Sequence, residues 1–202
     1  MIEAPQLLEL YKLGKRDFSR VNLQQVPLNE VNLTEVKFWR ANLTEINLSF
    51  SVLHRANLSE SNLSGATLWQ TDFTNACLTK ACLNRALLIR ANLERAILAK
   101  TIFKNTDLRL ACLKEADLTN ADLTEADLSY ADLRGANLTG ANLSRAILTG
   151  AKITQANLSN ANLEGAIFER VDFNEVILSN VDLSKTLLAG NEGIRIRDYS
   201  VK

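Results

Sequence analysis

From Phe18 to Leu188 every fifth residue is large and apolar, without a gap. The run holds 35 such positions: 28 are Leu, six are Phe (18, 38, 73, 103, 168 and 173) and one is Ile153. Two residues before each stands a small or β-branched residue. It is Val from 21 to 36, mostly Ala from 41 to 166, and Val again from 171 to 181. The residue between them is Asn or Asp in 20 of the 35 units, and the one after the large residue is Ser or Thr in 18. The stretch ADLTEADLSYADLRGANLTGANLSRA displays the unit plainly.

Neither regular element tolerates a period of five. In an α-helix five residues turn the chain by about 500°, so successive Leu would step about 140° around the surface and form no stripe. In a straight strand they would alternate between faces. The pattern works if the chain runs briefly extended, with the Ala and Leu pointing one way, and then turns before the next unit. Repetition wraps the chain around its own apolar axis. The result is a solenoid whose coils pair by backbone hydrogen bonds about 4.8 Å apart. The spacing alone leaves the number of sides open.

The A-(N/D)-L-x-x unit resembles the pentapeptide-repeat family, and the resemblance covers residues 16–190. It implies an all-β fold, a right-handed quadrilateral parallel β-helix with four units per coil. The 35 units then make about 8.75 coils and a rod about 40 Å long. Leu stacks on Leu along the axis, Ala leaves room beside each corner, and outward Asn, Asp, Ser and Thr bond to turn backbone. Val or Thr in place of Ala near both ends predicts wider or less regular coils there.

Solenoid ends expose core and unpaired backbone, so caps are expected. The segment PQLLELYKL predicts a helix over residues 5–13, with Pro5 in its first turn, Leu7, Leu8 and Tyr11 on one side, and Gly14 as its stop. The spacing Leu7, Leu8, Tyr11, Gly14, Phe18 is similar to leader segments in bacterial, notably cyanobacterial, members of the family. The expected organisation is a helical cap over 1–15, the β-helix over 16–190 and a tail over 191–202. The tail alternates at Ile194 and Ile196. A last strand that caps the rod, lies along a side or joins a second subunit would all fit.

Composition removes whole classes of function. With 23 basic and 23 acidic residues the formal net charge is zero, unlike a polybasic nucleic-acid binder or an acidic tail. No stretch nears the ~18 apolar residues of a membrane helix. The start lacks both a basic leading segment and a long apolar run, so no secretory signal and no membrane insertion are expected. The odd set Cys77, Cys82 and Cys112 reads as reduced thiols, and the expected location is cytoplasmic.

Chemistry-bearing constellations are missing too. Asp117, Asp122, Asp127 and Asp132 fall on successive sides of one coil and cannot converge on a substrate. His54, the one histidine, is outward beside Arg55 and reads as a solvated side chain. The cysteines stand at the outward position before the Leu, and no pair has metal-ligand spacing. No G-x-G-x-x-G or Walker loop occurs. The eight N-L-S/T triplets from Asn32 onward are by-products of the repeat. No enzyme activity and no cofactor are expected.

What remains is the surface. With 20 residues per coil, outward positions sort into four sides, and 17 of them carry Val, Ile, Leu, Phe, Trp, Tyr or Cys. Nine fall on one side: Phe50, Trp69, Leu87, Ile89, Leu110, Tyr130, Ile147, Ile167 and Leu187. The others hold four, two and two. A contiguous apolar area with Trp and Tyr is what a partner-binding face looks like, and Arg90, Arg109 and Arg170 on that side suit it. The leading expectation is therefore a scaffold that presents this side to an unidentified protein partner, as a monomer or homodimer.

Two other readings follow in order. Some members of the family imitate DNA and bind DNA gyrase or another type II topoisomerase. Here the four sides carry net charges of +2, −1, −1 and −2, and the loops that interrupt coils in some quinolone-resistance members are absent. The third reading is weak nucleic-acid binding through a basic corner formed by Arg20, Arg40, Lys80 and Lys100, with Arg16 and Lys37 nearby and Glu60 interrupting.

Overall fold

A computed structural model describes residues 3–190 of the chain. Helix α1, Ala4–Lys12, is followed by a continuous run of five-residue units. Parallel bridges link the residue before nearly every large apolar position to its counterpart 20 residues on, from Asp17↔Lys37 to Ile167↔Leu187. Ala121–Glu125 shows how one unit works. Ala121 and Leu123 are buried, Asp122 and Thr124 are half-buried, and Glu125 is exposed at the corner with φ 58°. The Ala126 N–H closes the turn on the Leu123 carbonyl at 3.0 Å. Three further bonds join neighbouring coils: Leu123 N to Asn142 O at 2.7 Å, Glu125 N to Ser144 O at 3.0 Å, and Asp122 N to Thr101 O at 2.9 Å.

A positive φ recurs at every fifth position from Arg20 to Asn180, so four corners fall within each 20-residue coil. Left-handed backbone costs a residue with a β-carbon on the order of 1 kcal/mol. The repeat accepts that strain at corner after corner because each turn points another Leu inward, and burying one contributes roughly 1.5–3 kcal/mol. Outward Asn and Asp add support. Asp117 Oδ1 accepts the Thr119 N–H at 3.0 Å, and the same contact recurs from Asp17 to Asp182.

The coils pair differently from the all-β expectation. Each side contributes one isolated bridge, and among the described residues no longer strand forms. The cause lies in the unit length. Two of its five residues go into the corner, which leaves a single residue between turns in pairing geometry.

At the amino-terminal end α1 lies against the first coils. Leu7 is fully buried in the core, and the Tyr11 hydroxyl donates to the Thr34 carbonyl at 2.8 Å. Pro5 occupies the first turn. The helix stops where Gly14, φ 95°, donates to Tyr11 O, while Lys15 donates to Leu10 O, both at 3.0 Å. That is a Schellman closure, which the glycine permits.

The two Val-bearing ends behave differently. Around Val21, Val26, Val31 and Val36 every bridge is in place. In the last coil no bridge joins 152 to 172 or 162 to 182, and Lys185 lacks the left-handed corner of its counterparts. Gly165 N therefore bonds Lys185 O at 2.9 Å, one residue off register. Phe168 and Phe173 pack at 5.3 Å between centroids with their rings tilted, two bulky side chains from adjacent sides of one coil. Phe173, Leu178 and Leu188 are only half-buried there. The tail, residues 191–202, lies outside the described residues.

Candidate partner-binding side

The nine apolar residues share one side in the structure as well. Seven are exposed (Phe50, Trp69, Leu87, Leu110, Tyr130, Ile147 and Leu187), whereas Ile89 and Ile167 are half-buried. The bridge series Thr67↔Leu87↔Asp107↔Asp127↔Ile147↔Ile167↔Leu187 forms one edge of this side. Phe50, Arg90, Leu110, Tyr130 and Arg170 form the opposite edge, along the corner. The apolar area is therefore a band that crosses the side: it starts at the corner with Phe50, spreads inward through Trp69, Leu87 and Ile89, and returns to the corner at Leu110 and Tyr130. It ends on the bridge edge at Ile147, Ile167 and Leu187.

Polar groups in the middle of the band are held in place. Arg109 donates two hydrogen bonds to Asp107, at 2.9 and 2.7 Å, and lies 3.8 Å from Asp127. Beside this cluster a shallow depression is lined by Ile89, Arg109, Leu110, Asp127, Ser129 and Tyr130. Tyr130 lies against the next corner. A β-carbon added at Gly150 would stand 2.6 Å from its Cε1, so the glycine gives the ring its seat.

Arg90 and Arg170 differ from Arg109 in making no ion pair with a described residue. Exposed apolar residues also occur elsewhere, at Ile97 and Ile177 on the side of Trp39, but they stand four coils apart.

The basic corner is less available than a row of free cations would be. Arg40 Nε donates to Glu60 at 2.7 Å, and the Arg40 and Arg20 guanidinium groups sit 4.4 and 4.9 Å from the Trp39 ring centroid. The Arg40 hydrogen bond holds the Glu60 carboxyl below its ordinary pKa. Arg16 stacks on Tyr11 at 3.9 Å. Lys80 and Lys100 stand exposed at the same corner.

Elsewhere polar groups serve the fold. Asp117, Asp122, Asp127 and Asp132 each accept from the residue two places on, on their own sides. The Cys77 and Cys82 sulfurs lie 3.1 and 3.2 Å from Ser59 and Ser64 hydroxyls, and all three cysteines are free. Among the described residues no His, Cys, Asp and Glu cluster could hold a metal ion. No described helix is long and apolar enough to cross a membrane.

Two features escaped the sequence reading. His54 has a partner, Asp72, at 2.7 Å. At Ser51, Thr71, Thr101 and Thr106 the hydroxyl at the small inward position is buried and bonded to a carbonyl of the preceding coil, as in Thr71 to Leu48 O at 2.8 Å and Thr101 to Leu78 O at 2.7 Å. A polar residue where the repeat wants Ala was the available signal.

A sequence profile for pentapeptide repeats matches eight copies, over residues 17–50, 51–88, 86–125, 116–155 and 151–190. No match emerges among curated protein sequences. Among solved structures the chain is similar to HetL, a pentapeptide repeat protein involved in heterocyst differentiation regulation from the cyanobacterium Nostoc sp. strain PCC 7120. The identity is 31% over 93% of this chain and 95% of that one, with a TM-score of 0.53. It is also similar to a trypsin-treated variant of QnrB1, a plasmid-mediated fluoroquinolone resistance protein, at 16% identity over 86% and 90% of the two chains and a TM-score of 0.73. Identity that low speaks for a common fold alone.

Proposed function

The chain belongs to the pentapeptide-repeat family, and on that premise we propose that it is a non-catalytic scaffold which offers one apolar side to a protein partner. Members with structures like this one fold as right-handed β-helices, and we read residues 16–190 as a right-handed, four-sided parallel example. Residues 1–15 act as its cap and residues 191–202 as a tail. One observation carries the reading: seven large apolar side chains stand exposed in one band on one side, a concentration that a surface without a partner has no reason to keep in water. The 31% identical relative, described as involved in regulation of differentiation, is in keeping with a role in binding. The even balance of 23 basic and 23 acidic residues gives no support to imitation of DNA. The Arg40–Glu60 pair weakens the basic corner as a phosphate track.

The test is comparative capture from the source organism's lysate, with wild type and a Trp69→Glu/Ile89→Glu variant as baits. Both baits must first give the same circular dichroism and melting. A protein held by wild type and lost by the variant supports the interface. Identical retained sets overturn it.

A further inference from the structure

The kind of segment that fits this side can be argued from the backbone and from the charges at its two edges. The amides and carbonyls that join coils are already used, as in Leu68 N to Leu87 O at 2.8 Å and Leu87 N to Ala66 O at 2.9 Å. A strand could therefore add only at the ends of the rod. An extended segment laid on the side would bury its own N–H and C=O groups without a ladder to receive them. An α-helix carries its backbone bonds within itself and needs only an apolar stripe.

The edges then set the pattern of charge. Along the corner, Arg90 and Arg170 are the two charged residues within the apolar band, four coils apart. That separation is about 19 Å at one strand spacing per coil, close to the roughly 21 Å over which 14 residues, about four turns, bring a helix back to the same flank. The opposite edge carries Asp107 and Asp127 near the midpoint, with only Arg109 to balance them. The depression beside Tyr130 lies between the two edges and has room for an apolar side chain.

We infer that this side receives an amphipathic helix of a partner protein, with carboxylates about 14 residues apart on one flank and a basic residue near the middle of the other. The inference rests on the apolar side being the interface. Arg90 and Arg170 fix the register of the helix, and the Tyr130 depression takes its central apolar residue.

The probes are three synthetic peptides of about 21 residues, long enough to span both arginines. One has a Leu stripe with Glu at positions 4 and 18 on one flank and Lys at 9 on the other. The second exchanges Glu and Lys, and the third has the same composition in strict strand-like alternation. Binding is read from Trp69 fluorescence in the full chain carrying Trp39→Phe. The matched helix should bind at least tenfold more tightly than the exchanged one, and Arg90→Glu/Arg170→Glu should reverse that preference. Equal binding of the two helices, or preference for the alternating peptide, overturns the helix inference and leaves the side as a docking surface.

A photo-reactive residue in place of Tyr130 supplies the second arm. Crosslinks confined to residues 191–202 or to a second copy would give the side a different occupant and also overturn the inference. If none of the peptides binds while the Trp69→Glu/Ile89→Glu variant still loses a captured protein, the helix inference alone falls. Loss of neither marks the failure of the interface itself.

Discussion

His54 Nε2 lies 2.7 Å from Asp72 Oδ2, eighteen residues and one coil further along the chain. The contact is one instance of a rule. The residue after a large apolar position faces the residue before the corresponding position of the next coil. Asn62 to Thr44, Asn92 to Thr74 and Lys104 to Asp122 repeat it at the same separation.

That pair predicts a pH dependence. Partial burial works against the Asp72 charge, but hydrogen bonds from the Thr74 hydroxyl, His54 and the Thr74 N–H outweigh it and hold the pKa below the ordinary 3.8. A carboxylate whose pKa is depressed in the folded state adds stability above its unfolded pKa, and that stability is lost as pH falls through the folded value. Asp72→Asn should thus melt below wild type at neutral pH, with the gap closing as the pH falls below about 4. A gap constant with pH would assign the effect to shape instead of charge.

Gly150 predicts a coupling with Tyr130. A β-carbon at Gly150 would meet the Tyr130 ring at 2.6 Å, whereas at Gly135 the nearest atom is Glu115 Cγ at an ordinary 3.5 Å. Both corners have φ +67° or close to it, so left-handed strain is common to the two. Gly150→Ala should cost about 1 kcal/mol more than Gly135→Ala. The excess should vanish in a Tyr130→Ala background, as a double-mutant cycle of chemical denaturation would reveal.

Two buried serines should differ. The Ser51 hydroxyl donates to Leu28 O at 2.7 Å and accepts the Val31 N–H at 3.1 Å, so it is built into the corner of the preceding coil. The Ser61 hydroxyl donates to Leu58 O within its own turn, where the Ser61 N–H already bonds that carbonyl. Ser51→Ala should cost about 1–3 kcal/mol by orphaning the Val31 amide, and Ser61→Ala less than about 1. Equal losses in urea melts would contradict the corner assignment.

The last coil should open first. Its bridges are missing on two sides, and two of its remaining inter-coil bonds, Gln155 N to Asn174 O and Arg170 N to Ala189 O, are stretched to 3.4 Å. Amides that donate into residues 171–190 should exchange with solvent at least tenfold faster than those of residues 91–150. Uniform protection along the rod would contradict this.

Much of this was legible because the repeat is strict. The corners and the inward Leu and Ala columns follow from counting by five, and the assignment of nine apolar residues to one side follows once the family resemblance supplies four units per coil. Helix α1 was legible from Pro5 and Gly14. The same counting did not foresee that Val176 and Val181 would go with a broken coil while Val21 and Val26 sit in regular ones. The difference lies in what packs beside them, with Phe168 against Phe173 at one end and α1 at the other. Nor did it pair His54 with Asp72. Lateral contacts depend on which edge of one coil meets which edge of the next, and a list of outward residues does not carry that. Exposure of the apolar side likewise needed coordinates, because Ile89 and Ile167 sit lower between their neighbours than Tyr130 and Leu187 do.

The 20-residue register between coils makes the chain behave like a combination dial. Removing one complete coil of 20 residues would shorten the rod and leave every downstream side chain in line with its former column. Removing a single unit of five would preserve the buried columns equally well, yet it would turn everything beyond it by a quarter revolution. Ile147, Ile167 and Leu187 would then look out from a different wall than Trp69 and Leu87. Length and orientation are thus set by the same small step, and one slipped unit would dismantle a binding surface without disturbing the core beneath it.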